Sequence, residues 1–257
     1  YFNNEVIMNN FFVGLQFLTS LKIVKQTEWS LESFGKSVKY FPLIGAVLGI
    51  IMASFYFIAI KYLPLAHIYL SHNFLAILLF ALSIILTGAL HCDGFMDTAD
   101  GVFSGRSKDR MLEIMKDSCV GSNAVVAFFI LSILKIALFM EIPSDKLLLA
   151  LFAAPILSRF NMVIAITKFP YARPDGMGKA FAEYSGATTF YIALLFTMLL
   201  IIPLGKMGIS AFIISCLGGL FFCNYFSKIL GGLTGDTYGA ITELCEVIVL
   251  CCFLIIS

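Results

Sequence analysis

The sequence predicts an all-α integral membrane protein, a polytopic bundle of about seven transmembrane helices preceded by an interfacial helix at the N-terminus. Apolar residues make up 60% of its 257 residues and charged residues only 13%, whereas about a quarter of the residues of a soluble domain are charged. The mean hydropathy is +0.96. Several apolar segments reach the roughly 20 residues that a helix needs to cross about 30 Å of hydrocarbon, and a helical bundle satisfies its backbone polar groups internally.

The first predicted element is a helix over residues 5–21. Asn9, Asn10 and Gln16 interrupt its apolar sequence, which favours a position in the membrane interface over a crossing. We expect residues 1–257 to form one membrane domain, with the transmembrane bundle over residues 37–257. The predicted spans are residues 37–62, 70–91, 122–140, 147–167, 187–204, 209–230 and 240–257.

Lysine and arginine residues predict the orientation of the bundle, because short cytoplasmic loops carry an excess of both. With the N-terminus inside, the outer loops hold only Lys61, Lys146 and Lys206. This bias places three polar segments on the cytoplasmic face. They are residues 91–121, 168–186 and 231–239. A net charge of +1 offers no basic surface for nucleic acid, so none is expected as a partner.

The first polar segment is strongly acidic. Its six acids are Asp93, Asp97, Asp100, Asp109, Glu113 and Asp117. If the second span continues as a helix, the first three share one helical stripe, at i, i+4 and i+7. Gly101 and Gly105 permit a reversal, after which Glu113 and Asp117 stand four residues apart. The pattern predicts two helix ends that face each other with their carboxylates.

Carboxylates that crowd together raise one another's pKa unless a cation lies among them. All-oxygen ligands suit Mg²⁺ or Mn²⁺, and such ions usually share their coordination sphere with substrate phosphates. The acidic segment therefore predicts a divalent metal site and a phosphate-bearing substrate. The alternative is a solvated helix end, in which the acids pair with Arg106, Lys108, Arg110 and Lys116. His91 begins the segment and is either an ordinary buried residue or a group that orients a ligand.

Arg159 lies in the otherwise apolar fourth span. Charged residues inside spans are costly and usually face a cavity or a charged partner, so we expect Arg159 to contact a substrate phosphate or an acid of the metal site. Glu243 and Glu246 in the last span are expected to line the interior opposite Arg159. Lys135 lies nearer the end of its span and is expected to snorkel towards the interface.

The acidic segment resembles the aspartate motif of membrane CDP-alcohol phosphotransferases, through Asp97-x-x-Asp100-Gly101, then Arg106, then Glu113-x-x-x-Asp117. The match departs from that family in having Glu113 for its third aspartate and Asp109 for its second glycine. A closer resemblance, over nearly the whole chain, is to the bacterial cobalamin synthases, the adenosylcobinamide-GDP ribazoletransferases. It rests on LQFLT (15–19), YFPLIGAVLG (40–49), the whole of 91–121, PYARPDGMGKAF (170–181) and GGLTGDTYGAITELCEV (231–247).

The second resemblance implies a reaction in which a hydroxyl of α-ribazole, or of its 5'-phosphate, attacks the cobinamide-linked phosphate of adenosylcobinamide-GDP and GMP departs, with Mg²⁺ required. It also implies a bacterial or archaeal inner membrane, with the active site facing the cytoplasm. The alternatives are a CDP-alcohol-type lipid phosphotransferase and an ion-coupled transporter. The sequence leaves the oligomeric state open, a homo-oligomer included.

The resemblances also imply roles for individual residues. Asp97, Asp100 and Glu113 are expected to bind metal, with Asp93 as a fourth ligand. Asp117 is expected to be the general base or a further metal ligand. Arg106 and Lys116 are expected to bind diphosphate oxygens or to stabilise the departing GMP; alternatively they pair with neighbouring acids.

Two further loops are expected to bind substrate. Arg173 is expected to bind guanine or phosphate and Asp175 to accept hydrogen bonds from guanine, unless this loop is an ordinary solvated connection. The glycine-rich segment before the last span exposes backbone N–H groups that can hold an anion. Within it, Asp236 either ligates metal, holds a ribose hydroxyl or caps the last helix.

Overall fold

A computed structural model describes residues 2–24 and 30–256, with residues 2–9 described by their backbone alone. These residues form helices and connecting turns, and the only pairing of strand type within the two ranges is an isolated bridge between Tyr171 and Leu233. The helices are α1 Phe2–Leu18, α2 Leu31–Ser37, α3 Phe41–Lys61, α4 His72–Thr87, α5 Leu90–Phe103, α6 Lys108–Ile114, α7 Ser122–Glu141, α8 Ser144–Lys168, α9 Met177–Glu183, α10 Ala187–Ile201, α11 Gly205–Leu230 and α12 Gly235–Ile255. The all-α prediction is confirmed.

Five helical stretches are long and apolar enough to cross a membrane, which confirms a polytopic helical bundle. They are Leu31–Lys61, Ser122–Glu141, Ser144–Lys168, Ala187–Leu230 and Gly235–Ile255. The predicted spans 187–204 and 209–230 both fall in the 44-residue stretch Ala187–Leu230. At 1.5 Å per residue that stretch is roughly twice as long as the hydrocarbon is thick. Helices α10 and α11 meet in it at Gly205, which has a φ of 66°.

The predicted second span does not continue into the acidic segment. Helix α4 ends at Thr87, and the chain turns by 90° before α5 begins at Leu90. Gly88 and Ala89 make this turn with φ values of 58° and 60°, in the left-handed region that residues with a side chain seldom adopt. The pair α4 and α5 therefore counts as a sixth span only if both helices are taken as one broken crossing.

Helix α1 confirms the predicted N-terminal helix, and its inner face is buried at Val13, Leu15 and Leu18. Just beyond it, the backbone N–H of Ser20 donates to the carbonyl of Leu86 at 2.8 Å, and the Ser20 hydroxyl donates to the same oxygen at 3.1 Å. Carbonyls in the last turn of a helix have no partner within the helix. The end of α1 thus satisfies the end of α4 where the chain bends; its location in the interface stays a prediction.

Helices α5 and α12 pack with their backbones in close contact, because glycine occupies the contact positions. A Cβ atom placed on Gly94 would lie 2.7 Å from the carbonyl oxygen of Asp236. A Cβ atom placed on Gly239 would lie 3.0 Å from the carbonyl oxygen of His91. This packing sets the distance between the acidic residues of α5 and the beginning of α12.

We expect the variant Gly94→Ala to lower the thermal unfolding midpoint in detergent, because the added methyl group would push the two helix backbones apart. Overpacking of this kind costs about 1–3 kcal/mol. Gly186→Ala is the matched control, since a Cβ atom there meets nothing within 4 Å. The measurement is thermal unfolding followed by far-UV circular dichroism. Equal midpoints for the two variants would contradict the close contact.

Candidate active site

The three polar segments predicted to share one face meet at a single cavity of about 200 Å³, the central cavity. Asp93 contributes from α5, Arg173 from the loop after α8, and Asp236 from the first turn of α12. Phe17 and Leu18 at the end of α1 close one side of it. Residues far apart in sequence therefore form one site, as the predicted orientation of their loops requires.

The loop that carries Arg173 is fixed to the beginning of α12. The backbone N–H of Ala172 donates to the carbonyl of Leu233, and that of Leu233 donates to the carbonyl of Pro170, both at 2.8 Å. Nη2 of Arg173 then lies 2.7 Å from Oδ2 of Asp236, with both side chains largely buried. Buried charge-assisted pairs of this kind are strong and directional. The pair joins the second polar segment to the third.

Asp236 does not cap α12. Thr234 does so: its hydroxyl accepts from the backbone N–H of Thr237 at 3.2 Å, and the Thr237 hydroxyl accepts from the N–H of Thr234 at 2.8 Å. This is a reciprocal capping box. Asp236 is therefore free of that role and faces Arg173.

The predicted stripe of carboxylates is confirmed, because Asp93, Asp97 and Asp100 all lie on α5. Asp97 is half-buried and experiences the negative charges of Asp236, Asp93 and Asp100, which the positive charge of Arg173 opposes. Carboxylates collected in this way favour a further cation or a shared proton. The divalent metal and the phosphate-bearing substrate stay predictions.

Asp100 has a structural role as well. Its Oδ2 accepts from the backbone N–H of Gly121 at 2.6 Å, and its Oδ1 accepts from that of Ala124 at 2.8 Å. These amides begin α7, so the side chain satisfies two of the N–H groups that a helix start leaves without partners and places a negative charge at the positive end of the helix dipole. Asp100 thereby fixes α5 to α7.

The acids of α6 are arranged differently from the prediction. Oε2 of Glu113 lies 2.7 Å from Nη1 of Arg110, with both side chains exposed, and Oδ1 of Asp117 accepts from the backbone N–H of Cys119 at 3.0 Å. Among the described residues, no three His, Cys, Asp or Glu side chains are placed to hold a metal ion. Helices α5 and α6 do pack together at Gly101, but their carboxylates do not form the common cluster that the pattern predicted.

This arrangement affects the predicted roles of several residues in and near α6 and of Asp175. The hydrogen bond from the Cys119 N–H lowers the pKa of the exposed Asp117 carboxyl, which makes it a weaker base than an ordinary aspartate. Glu113 and Lys116 line a separate cleft of about 180 Å³ that Arg173 also borders. Arg106 and Asp175 are exposed, and neither lines the central cavity.

A second group of charges lies inside the bundle. Nζ of Lys135 lies 2.8 Å from Oε2 of Glu243 and 2.7 Å from Oε2 of Glu246, and Arg159 pairs with the other oxygen of Glu246. Arg159 is 1% exposed. Its partner is thus Glu246 of α12, in agreement with the expectation that the two glutamates lie opposite Arg159. Within the described ranges, the predicted contact with an acid of the metal site is not formed.

The expectation that Lys135 snorkels is wrong. The residue is 2% exposed and neutralises two glutamates, because burying a carboxylate without a cation costs several kcal/mol. The sequence held a signal for this: two glutamates in the last span require two opposing charges, and Arg159 supplies only one. Tyr238 also lines the central cavity. The sequence does not predict it as a site residue, since nothing in its local sequence distinguishes it from a core tyrosine.

We expect Asp100→Asn to destabilise the protein, because an amide can accept through one atom only and leaves the N–H of Gly121 or Ala124 buried without a partner. Such a loss costs about 1–3 kcal/mol. Glu113→Gln is the control, since an exposed ion pair contributes only about 0.2–1 kcal/mol. The measurement is the thermal unfolding midpoint in detergent. The capping role would be refuted by an Asp100→Asn midpoint no lower than that of Glu113→Gln.

A membrane-embedded helical bundle whose separate polar motifs meet in one carboxylate-lined cavity defines an integral membrane enzyme. The particular family follows from comparison with known proteins. The chain belongs to the cobalamin-5-phosphate synthase family, whose model matches residues 10–254. No solved structure matches the chain.

Curated relatives agree with that assignment over nearly the whole chain. An adenosylcobinamide-GDP ribazoletransferase of Fusobacterium nucleatum is 36% identical over 97% of this chain and 98% of its own length. A protein of the same name from Desulfitobacterium hafniense is 37% identical over 95% of each chain. Another from Desulforamulus reducens is 39% identical over 91% of each chain.

Proposed function

We propose that this protein is a transferase that joins α-ribazole, or its 5'-phosphate, to adenosylcobinamide-GDP and releases GMP. This is the step that assembles the nucleotide loop in cobalamin biosynthesis. The observation that carries the proposal is the convergence of Asp93, Arg173 and Asp236 at one cavity, whose charges also act on the neighbouring Asp97. The three lining residues come from three separate motifs of the family.

In this reaction a ribose hydroxyl attacks the cobinamide-linked phosphorus, its proton passes to a base, and the bond between that phosphorus and the bridging oxygen breaks. The bridging oxygen leaves with GMP. The guanidinium of Arg173 is suited to bind diphosphate oxygens, because its planar fork donates two parallel hydrogen bonds. Its pairing with Asp236 holds it at the cavity wall.

Asp93 is the carboxylate best placed to accept the proton, because it lines the cavity whereas Asp236, which also lines it, is paired with Arg173. Asp117 is exposed and its pKa is lowered, so the geometry favours a role in the turn that follows α6 for this residue.

Lys116 borders the separate cleft, which shares Arg173 with the cavity. There it is suited to bind the phosphate of the departing GMP. Arg106 is exposed just after the end of α5. Its role in binding diphosphate oxygens or stabilising the departing GMP stays a prediction.

We propose Mg²⁺ as the cofactor, with Mn²⁺ as a substitute. The donor atoms suit such an ion, since Asp93, Asp97 and Asp236 offer only oxygen atoms and carry more negative charge than Arg173 neutralises. Because no three described carboxylates are placed around one point, phosphate oxygens of the substrate would have to complete the coordination sphere. A bound divalent ion would neutralise charge that develops on the diphosphate. Asp100 and Glu113 stay predicted ligands, the first with amide partners and the second with Arg110.

The Lys and Arg bias of the loops supports a cavity that faces the cytoplasm from the inner membrane of a bacterial or archaeal cell. The lipid bilayer is the protein's environment in this proposal, and adenosylcobinamide-GDP and α-ribazole are its partners. A homo-oligomer stays open in this proposal. The family match favours this transferase over a lipid phosphotransferase and over an ion-coupled transporter.

We expect detergent-purified protein to release GMP from adenosylcobinamide-GDP only when α-ribazole is also present. Asp97→Asn should reduce turnover by about 100- to 1,000-fold, as the loss of one charge-stabilising group does in other enzymes. Asp145→Asn is the matched control, because this exposed residue lies in the first turn of α8. Turnover by Asp97→Asn within tenfold of wild type would refute the role of this carboxylate.

We expect chelation of divalent ions to abolish GMP release and added Mg²⁺ to restore it, because the crowded carboxylates need a cation to admit a diphosphate. The measurement is GMP release after dialysis against EDTA, with and without added Mg²⁺. Binding of Mn²⁺ followed by electron paramagnetic resonance provides a second readout, and it should weaken in Asp97→Asn but not in Asp145→Asn. Full turnover in EDTA would contradict the metal requirement.

A further inference from the structure

Three side chains that line the central cavity carry a buried polar atom with no hydrogen-bond partner among the described residues. The atoms are Nε2 of His91, Nε of Arg173 and Oη of Tyr238. His91 is 2% exposed and Tyr238 is 3% exposed. Nearly all buried polar groups in native proteins have a partner, so each exception needs an explanation. Here the three exceptions come from three different elements and surround one space.

Part of the cavity lining is apolar. Phe17 from α1, Met162 from α8 and Phe181 from α9 form this apolar wall, in which the ring centres of Phe17 and Phe181 lie 5.1 Å apart. Their side chains offer no strong hydrogen-bonding atom. A ligand that fits the cavity must therefore have one apolar face and one group rich in hydrogen-bonding atoms. Pockets for drug-sized ligands measure about 300–1,000 Å³, so a cavity of about 200 Å³ is too small for a corrinoid and restricts the ligand to at most the size of a nucleoside.

We propose that this cavity binds the nucleoside α-ribazole, with its benzimidazole base against Phe17, Met162 and Phe181 and its ribose held by Tyr238 and His91. The identity of the nucleoside rests on the proposed function. A ribose hydroxyl both accepts and donates. It accepts from Tyr238 and from a ring N–H of His91, and it donates to Asp93 or Asp236, which also line the cavity. This placement brings the attacking hydroxyl to the carboxylates of the site.

Guanosine is the other nucleoside of the reaction, and the cavity suits it less. The edge of guanine carries several donors and acceptors, and these would lose their hydrogen bonds to water against the apolar wall. The benzimidazole base has a mainly hydrocarbon edge and loses little there. The cleft bordered by Lys116 and Arg173 also contains the carboxylates of Asp109 and Glu113. Its charged groups can form hydrogen bonds with guanine, so this cleft is left for the guanosine part of the other substrate.

The test compares the variants Tyr238→Phe and Tyr56→Phe, each of which removes one hydroxyl oxygen. Tyr56 is the matched control, because its hydroxyl is also buried without a partner but it packs in a different apolar cluster, with Leu79 and Leu147. Binding of α-ribazole, of free benzimidazole and of GDP is measured by calorimetry with the full chain in detergent. Turnover supplies the KM for α-ribazole and kcat.

We expect Tyr238→Phe to weaken α-ribazole binding and to raise its KM by about tenfold, the effect of one lost hydrogen bond. Binding of free benzimidazole and of GDP should stay within twofold of wild type, and Tyr56→Phe should change none of these values. Free benzimidazole should compete with α-ribazole. Weaker GDP binding with unchanged α-ribazole binding in Tyr238→Phe would overturn the inference and assign the cavity to guanosine.

Failure of the inference and failure of the proposed function give different results. If wild-type protein binds α-ribazole through Tyr238 but releases no GMP, the cavity assignment holds and the transferase reaction does not. If GMP is released and α-ribazole binding is unchanged in Tyr238→Phe, the transferase stands and the cavity assignment is refuted.

Discussion

The close contact between α5 and α12 is the constraint on which the site depends. Asp93 and Asp97 belong to one helix and Asp236 to the other, so the distance between the two backbones sets the distance between their carboxylates. Gly94 and Gly239 permit that distance because a side chain at either position would meet the opposite backbone. Asp100 holds the far end of α5 on α7, which leaves the helix little freedom to slide.

Charge is divided between two levels of the bundle. In the interior, Lys135 and Arg159 balance Glu243 and Glu246, so that level is neutral by itself. At the cavity, the aspartates exceed the nearby positive charge of Arg173. Because α12 carries both Asp236 and the two glutamates, the interior ion pairs also fix the rotation of the helix that presents Asp236. Because the interior level is neutral, the excess negative charge of these two groups lies at the cavity.

The sequence predicted those features that follow from helical periodicity and from loop charge. The stripe of Asp93 and Asp97 follows from their spacing on a helix, and the placement of three distant loops on one face follows from the lysine and arginine bias. That the three loops meet in one cavity depends on helix packing, which the bias does not predict. The turn at Ala89 was not predictable, since alanine in the left-handed region is held there by its surroundings rather than by its own preference. The amide partners of Asp100 lie 21 and 24 residues away, and a contact at that separation has no local signature.

The right-angled turn between α4 and α5 has a geometric consequence for the substrates. If α4 stands upright in the bilayer, α5 runs parallel to the membrane surface, and its acids are spread over about 10 Å along that plane at one depth. A pyrophosphate linkage lying flat in the headgroup layer could then be engaged along its length. Neither the nucleotide nor the corrinoid would have to enter the hydrocarbon, so two water-soluble reactants can be joined by a protein that is otherwise buried in lipid.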